Sequence, residues 1–403
     1  MKTALLDTLG SWLPDMTAIR RDIHARPELA FQEIRTADTV ARLLESWGIP
    51  THRGLGTTGV VGRIAGRGPG PTIGLRADMD ALPMPEANTF AHASQNPGVM
   101  HACGHDGHTA MLLAAARYLA RHPDFPGAVV VIFQPAEEGG GGARHMIEDG
   151  LFDQFPMDAV FGMHNWPGLP VGTFGLTAGP IMASSNRFQI TLRGKGAHGA
   201  MPHLGVDPVV AAAQLTLAFQ TILTRDQDPL DAGVISVTQI HAGSADNVIP
   251  DQAVLRGTVR TLSTPVLDQI ENRMRDLTGH LAQALRCTAD FQFSREYPAT
   301  VNHPAETALC TQVLNDLVGA DHVRTGVRPS MGAEDFAFML QARPGCYLWI
   351  GNGEGDHRTP GHGAGPSTLH NSSYDFNDEL IPLGAAYWVM LAHRFLGQHQ
   401  AAD

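Results

Sequence analysis

Apolar positions recur with two different periods along the chain, and the alternation between them predicts its layout. Over residues 14–47 the spacing is helical. Met16, Ile19 and Ile23 share one face, then Val40, Leu43, Leu44 and Trp47 share another until Gly48 and Pro50 stop the run. Strands are expected at 60–65 and 72–76, bounded by the Gly/Pro-rich stretch 66–71. A further helix carries Leu112, Leu113, Ala116, Leu119 and Ala120 on one stripe. The runs 128–133 (AVVVIF) and 159–163 are apolar throughout, as strands buried on both faces of a parallel sheet are. A short helix is expected between them at 143–148. Helices alternating with such strands predict an open α/β sheet.

The pattern changes near Ala183. A strand at 188–192 precedes a helix capped by Asp207-Pro208 that carries Val210, Ala213 and Leu217. Strands at 234–240 and 253–260 follow, then a helix opened by Thr264-Pro265 with Ile270, Met274, Leu277 and Leu281 on one face, and a strand at 289–293. The order β-α-β-β-α-β is that of a ferredoxin-like module. Beyond Pro304 the α/β pattern resumes, with a strand at 346–350. The layout expected is one α/β domain, 1–183 plus 297–403, with an α+β domain inserted at 184–296.

Composition narrows the classes of function. The 403 residues carry 28 Lys and Arg against 40 Asp and Glu, a net charge of −12 without a basic patch, which argues against nucleic acid or an anionic membrane as partner. No stretch approaches the roughly 18 uncharged apolar residues of a membrane span, and the N-terminus lacks the apolar core of a signal peptide. The four cysteines, at 103, 287, 310 and 346, are too few and too scattered for a disulfide framework. A reducing cytoplasm is the expected compartment, with Cys103 a thiol.

Candidate chemistry is concentrated in five places. The densest is Met100 to His108 (MHACGHDGH), where Cys103 and His105 would point the same way on extended backbone and offer a thiolate and an imidazole to a borderline metal such as zinc. A lone Cys-x-His is commonly a buried thiol beside a helix start. Four metal-type side chains within eight residues favour a site. Glu137 and Glu138 follow directly after the 128–133 strand, and four glycines follow them. Their side chains are expected to diverge, one toward a metal and one toward its water. An isolated Glu-Glu pair is usually a solvated turn, but this one stands where α/β sheets place active sites. His164 lies just past the 159–163 strand, Asp78 and Asp80 end the 72–76 strand, and His370 stands in TLHNS. Three predicted strands thus deliver Asp78/Asp80, Glu137/Glu138 and His164 to one edge.

These stretches resemble the M20 metallopeptidase family, in its amidohydrolase branch of hippurate hydrolases, N-acyl-amino-acid amidohydrolases and auxin-conjugate hydrolases. The resemblance is carried by RADMDALP, MHACGHDGHTAML, IFQPAEEGGGGA, GMHNWPGLPVG, GKGAHGAMPHLGVDP, NVIP, GTVRTL, GAEDF and LHNSSYDFNDE, in family order along nearly the whole chain. It implies a metal-dependent exopeptidase-like open sheet with helices on both faces, and an inserted domain for dimerisation and as a lid. It implies two divalent metals (Zn, Mn, Co or Ni) held by Cys103, His105, Glu138, His164 and His370, with Glu137 as general base. Asp80 would orient a ligand. His198 would polarise the scissile carbonyl, and Asn247 and Arg260 would hold the substrate's oxyanion and carboxylate. Peptidases of the wider family carry H-x-D where this chain has Asp78-Met79-Asp80, so the role of Asp78 stays open.

The reaction implied is hydrolysis of the amide in an N-acyl amino acid or related amine by a homodimer whose lid histidine serves its partner's site. The nearest rival is a dipeptidase or carboxypeptidase on the same scaffold. A non-catalytic metal or ligand binder would need only one of Glu137 and Glu138. A redox-active cysteine protein would need a resolving cysteine near Cys103, which is lacking.

Overall fold

The computed structural model describes residues 2–398 and divides into two compact units. The first comprises Met1–Ile181, Val301–Arg328 and Asp335–Asp403; the second comprises Met182–Thr300 with Pro329–Glu334, a short return that no change of composition marks.

The first unit is built on an eight-stranded mixed sheet. Its strand order is Thr51–Leu55, Gly59–Ala65, Ala128–Gln134, Thr72–Asp78, Ala159–Pro167, Gly345–Gly353, Phe174–Leu176, Val323–Thr325. The four strands from Ala128–Gln134 to Gly345–Gly353 run parallel. Every residue of Ala128–Gln134 is buried, as expected for a strand covered on both faces. Helix His105–Arg121 crosses from Thr72–Asp78 to Ala128–Gln134, and most of its residues are buried. It packs against Leu380–Gln398. By length and composition alone the stretch Leu380–Gly397 could cross a membrane, although His393 and Arg394 keep it from being an uncharged span. With 67% of it buried, it is accounted for as the core helix of this unit. A helix at Lys2–Ser11 was not foreseen; it buries Leu5 and Leu9.

The second unit is a four-stranded antiparallel sheet in the order Gly233–Ala242, Gln252–Thr261, Ser185–Arg193, Thr288–Tyr297, the ferredoxin-like arrangement. Helices Pro208–Thr221 and Thr264–Ala284 pack on it, with Phe188, Leu215, Phe219, Leu255, Ile270 and Met274 in the core. Asp207 caps the first helix, its carboxylate accepting from the Val209 N–H at 2.8 Å. The helix turns a different stripe inward from the one marked by Val210 and Leu217. Ala211, Ala212, Leu215 and Phe219 are buried, while Val210 and Leu217 are 48% and 71% exposed. It is apolar on both sides, so periodicity could not choose between them.

Candidate metal centre

In a parallel sheet the carboxyl ends of neighbouring strands open on one edge, and here three of them carry chemistry to it. Thr72–Asp78 runs on to Asp80, Ala128–Gln134 runs on to Glu137 and Glu138, and Ala159–Pro167 contains His164. Helix His105–Arg121 starts at the same place, preceded by Cys103.

Cys103 and His105 do not meet across extended backbone as expected. Gly104 adopts φ +88 and caps the helix that begins at His105, so the two side chains converge through a left-handed turn. Only glycine fits there, because a Cβ would lie 2.3 Å from Asn165 Nδ2 and 2.5 Å from Tyr374 Oη. Glu137 and Glu138 do not diverge either. Ala136, at φ +53, bends the chain so that both carboxylates approach His105.

Ligand-type atoms form overlapping groups within 4.8 Å of one another: Cys103, His105 and His164; Cys103, Glu138 and His370; His105, Glu137 and Glu138. Cys103 Sγ lies 3.3 Å from His164 Nε2, and Glu138 Oε1 lies 3.1 Å from His370 Nε2. Each buried imidazole has its Nδ1 occupied, His105 by Asp80 Oδ1 at 3.2 Å and His164 by the Asn165 carbonyl at 2.6 Å. These partners assign the proton to Nδ1 and leave the Nε2 lone pair for a metal. One buried atom in the cluster, His105 Nε2, lacks a hydrogen-bond partner, and Glu138 Oε1 turns inward toward His370. A mixed S, N and O donor set with an orphaned buried ring nitrogen fits a divalent metal of the zinc type.

The electrostatics agree. Burial disfavours a charged His105, yet the charge of Asp78 and the hydrogen bond that His105 donates to Asp80 outweigh it and lift its pKa to about 10. Burial, followed by the charges of Glu138 and Glu137, pushes the Cys103 thiol well up. A cation is what this excess of negative charge calls for, and one would turn the thiol into a thiolate.

Asp80 bridges two of the expected ligands, because its Oδ2 also accepts the Glu138 N–H at 2.9 Å. Asp78 binds Arg76 at 2.7 Å and His108 Nδ1 at 2.6 Å, and lies 3.8 Å from His105 Nε2. His108 Nε2 in turn accepts the Asn165 N–H at 2.9 Å, which fixes the residue after His164. His101 is buried but belongs to none of the groups; burial pushes its pKa down to about 4.

Several supporting residues carry no local signal of their role. Arg76, 1% exposed, binds Gln134 Oε1 at 2.8 Å and Asp335 Oδ1 at 3.1 Å. The Asp335 N–H reaches Glu137 Oε1 at 3.3 Å. Arg20, fully buried, pairs with Asp106 at 3.2 Å and Asp375 at 2.9 Å, tying the start of the His105 helix to the segment after His370. An arginine inside an otherwise apolar strand was the one available hint for Arg76. His198, Asn247 and Arg260 lie in the second unit. His198 pairs with Val248 in a two-residue ladder, and the Asn247 carbonyl accepts the Gly199 N–H at 2.7 Å.

Comparison with known proteins agrees with this chemistry. The chain is 40% identical over 392 residues to hippurate hydrolase of Campylobacter jejuni, covering 97% of this chain and 98% of that one. It is 40% identical over 382 residues to thermostable carboxypeptidase 2 of Saccharolobus solfataricus, covering 94% of each. The crystal structure of the Bacillus subtilis YXEP protein, described as a dinuclear metal-binding peptidase of the M20 family, matches with a TM-score of 0.82 at 34% identity, over 96% of this chain and 99% of that one. The pattern of peptidase family M20/M25/M40 matches residues 74–394, and the chain belongs to that family.

Proposed function

We propose that this chain is a metal-dependent amidohydrolase that cleaves the amide bond of N-acyl amino acids. The observation that carries the reading is the convergence of Cys103, His105, His164, Glu138 and His370 beside a second carboxylate, Glu137. The name of the hippurate hydrolase relative, 40% identical over nearly its full length, supports an N-acyl amino acid as substrate.

The five converging residues would hold two divalent ions, of zinc, manganese, cobalt or nickel. Bound there, such a pair supplies a Lewis acid for the carbonyl and lowers the pKa of the attacking water. Glu137 takes the proton of that water and passes it to the leaving nitrogen. Asp80 keeps His105 and Glu138 in register while this happens.

His198, Asn247 and Arg260 complete the site in this reading. His198 Nδ1 accepts the Ala200 N–H at 3.0 Å, which leaves its proton on Nε2, available to a carbonyl oxygen that gains charge. The Arg260 guanidinium makes no hydrogen bond or ion pair among the described residues, and burial pulls its pKa down, so a substrate carboxylate is a fitting partner. These residues stand at opposite ends of one sheet. His198 and Asn247 flank the Gln252 end of strand Gln252–Thr261, and Arg260 closes the other, eight steps or about 26 Å away at 3.3 Å per residue. That separation supports a reading in which Arg260 and the His198–Asn247 pair reach one small substrate from two different copies of the chain. A homodimer also explains the apolar outer stripe of helix Pro208–Thr221 beside the edge strand Gly233–Ala242, whose Ile240 is 48% exposed. Four buried free thiols fit a cytoplasmic enzyme.

The test is a substrate panel on metal-reconstituted protein: N-benzoylglycine, N-acetyl amino acids and dipeptides. Preferred turnover of the acyl amino acids is expected. Preference for dipeptides would favour the peptidase reading that the carboxypeptidase relative raises, and no amide hydrolysis at full metal occupancy would overturn both.

A further inference from the structure

Glu33 stands just before helix Ile34–Ser46 and has no exposed surface, yet it gathers three donors from three parts of the chain. Its Oε1 accepts the Phe31 N–H at 3.0 Å and the Ala136 N–H at 2.9 Å, and its Oε2 accepts the Thr58 hydroxyl at 2.5 Å. Phe31 and Ala136 are both left-handed, at φ 61 and 53, and Thr57, beside the third donor, has φ 77. These are three of the five non-glycine residues with positive φ among the described residues, so backbone strain is concentrated around one carboxylate. Ala136 opens the turn that presents Glu137 and Glu138, and its carbonyl accepts the Gly142 N–H at 3.0 Å where the turn closes. A β-carbon makes the left-handed conformation costly, so this turn needs an outside hold.

We propose that Glu33 is a positioning residue: it holds Ala136 left-handed and thereby aims Glu137 and Glu138 into the metal centre. The inference rests on the function proposed above. It depends on the reach of the side chain more than on its charge. Burial pushes the carboxyl up to about 7, and in its acid form Oε2–H donates to Thr58 while Oε1 still accepts both backbone N–H groups. Glutamine keeps that reach without charge. Aspartate keeps the charge but is one methylene too short to reach both donors from the same backbone.

Glu33→Gln, Glu33→Asp, Ala136→Gly and the double variant Glu33→Asp/Ala136→Gly are compared in two ways. Zinc affinity is measured by competition with a chromophoric chelator, and kcat and KM are measured on N-benzoylglycine with the zinc-loaded protein. Glu33→Gln and Ala136→Gly are expected to stay near wild type. Glu33→Asp is expected to lose kcat by about 10- to 100-fold, as a displacement near 1 Å does, with KM little changed and zinc held more weakly. Adding Ala136→Gly should restore most of both losses, because glycine adopts the left-handed conformation without the β-carbon penalty. Wild-type behaviour of Glu33→Asp would overturn the proposal. So would equal losses in Glu33→Gln and Glu33→Asp, or a double variant no better than Glu33→Asp. If wild type itself cleaves no N-acyl amino acid, the proposed function fails, while the order of zinc affinities still decides the role of Glu33.

Discussion

Replacing Asp80 by asparagine changes one atom and should weaken the metal centre as a whole. One carboxylate oxygen takes the His105 Nδ1 proton at 3.2 Å and the other takes the Glu138 N–H at 2.9 Å, so both positions require an acceptor. An amide offers one acceptor and one donor. If its NH2 faces Glu138, two donors oppose each other in a buried space. If it faces His105, the ring must move its proton to Nε2 and lose the lone pair a metal needs. Groups that orient metal ligands in this way typically contribute 10- to 100-fold in affinity, about 1.4–2.8 kcal/mol. Asp80→Asn should therefore weaken zinc binding by about that factor, read by competition with a chromophoric chelator. In a His105→Ala background the same change should cost much less, since one of its two routes is already gone. Affinity within about twofold of wild type, or an undiminished loss in the His105→Ala background, would refute the reasoning.

Three further outcomes are expected. Glu137→Gln should keep its metal and lose nearly all turnover, whereas Glu138→Gln should lose metal as well; equal, wild-type metal content by elemental analysis in both would separate neither role. Mixing inactive Glu137→Gln and His198→Ala proteins under subunit exchange should return activity to roughly a quarter of all sites if His198 acts in its partner's site, because half the dimers are mixed and each has one intact site. No recovery despite proven exchange would place His198 in its own subunit's site. Gly104→Ala should destabilise the metal-free protein by about 2–4 kcal/mol in urea denaturation, combining the left-handed penalty with the overlap of its β-carbon on Asn165 and Tyr374; a change below about 1 kcal/mol would contradict the tight turn.

The architecture was legible from hydropathy because burial and periodicity are the same fact seen twice. Ala128–Gln134 is covered on both faces and reads as an unbroken apolar run, while the ferredoxin-like module declares its β-α-β-β-α-β order through alternating periods. The gathering of Asp80, Glu137, Glu138 and His164 was legible too, since parallel neighbouring strands must open their carboxyl ends on one edge. Where periodicity is ambiguous, the prediction failed: helix Pro208–Thr221 is apolar on both sides, and only its packing chose Leu215 and Phe219 over Val210 and Leu217.

The geometry inside the site was beyond the reach of local pattern. Hydropathy carries no sign of φ, so neither the left-handed Gly104 that swings Cys103 toward His105 nor the left-handed Ala136 that turns both glutamates inward could be foreseen. Nor does a sequence state which distant partner a buried charge will find. Glu33 meets Ala136 across 103 residues and Arg76 meets Asp335 across 259. A buried polar group must be satisfied, but its partner is whichever donor or acceptor the folded chain brings within about 3 Å. That choice belongs to packing, and it is made only when the strands and helices have come together.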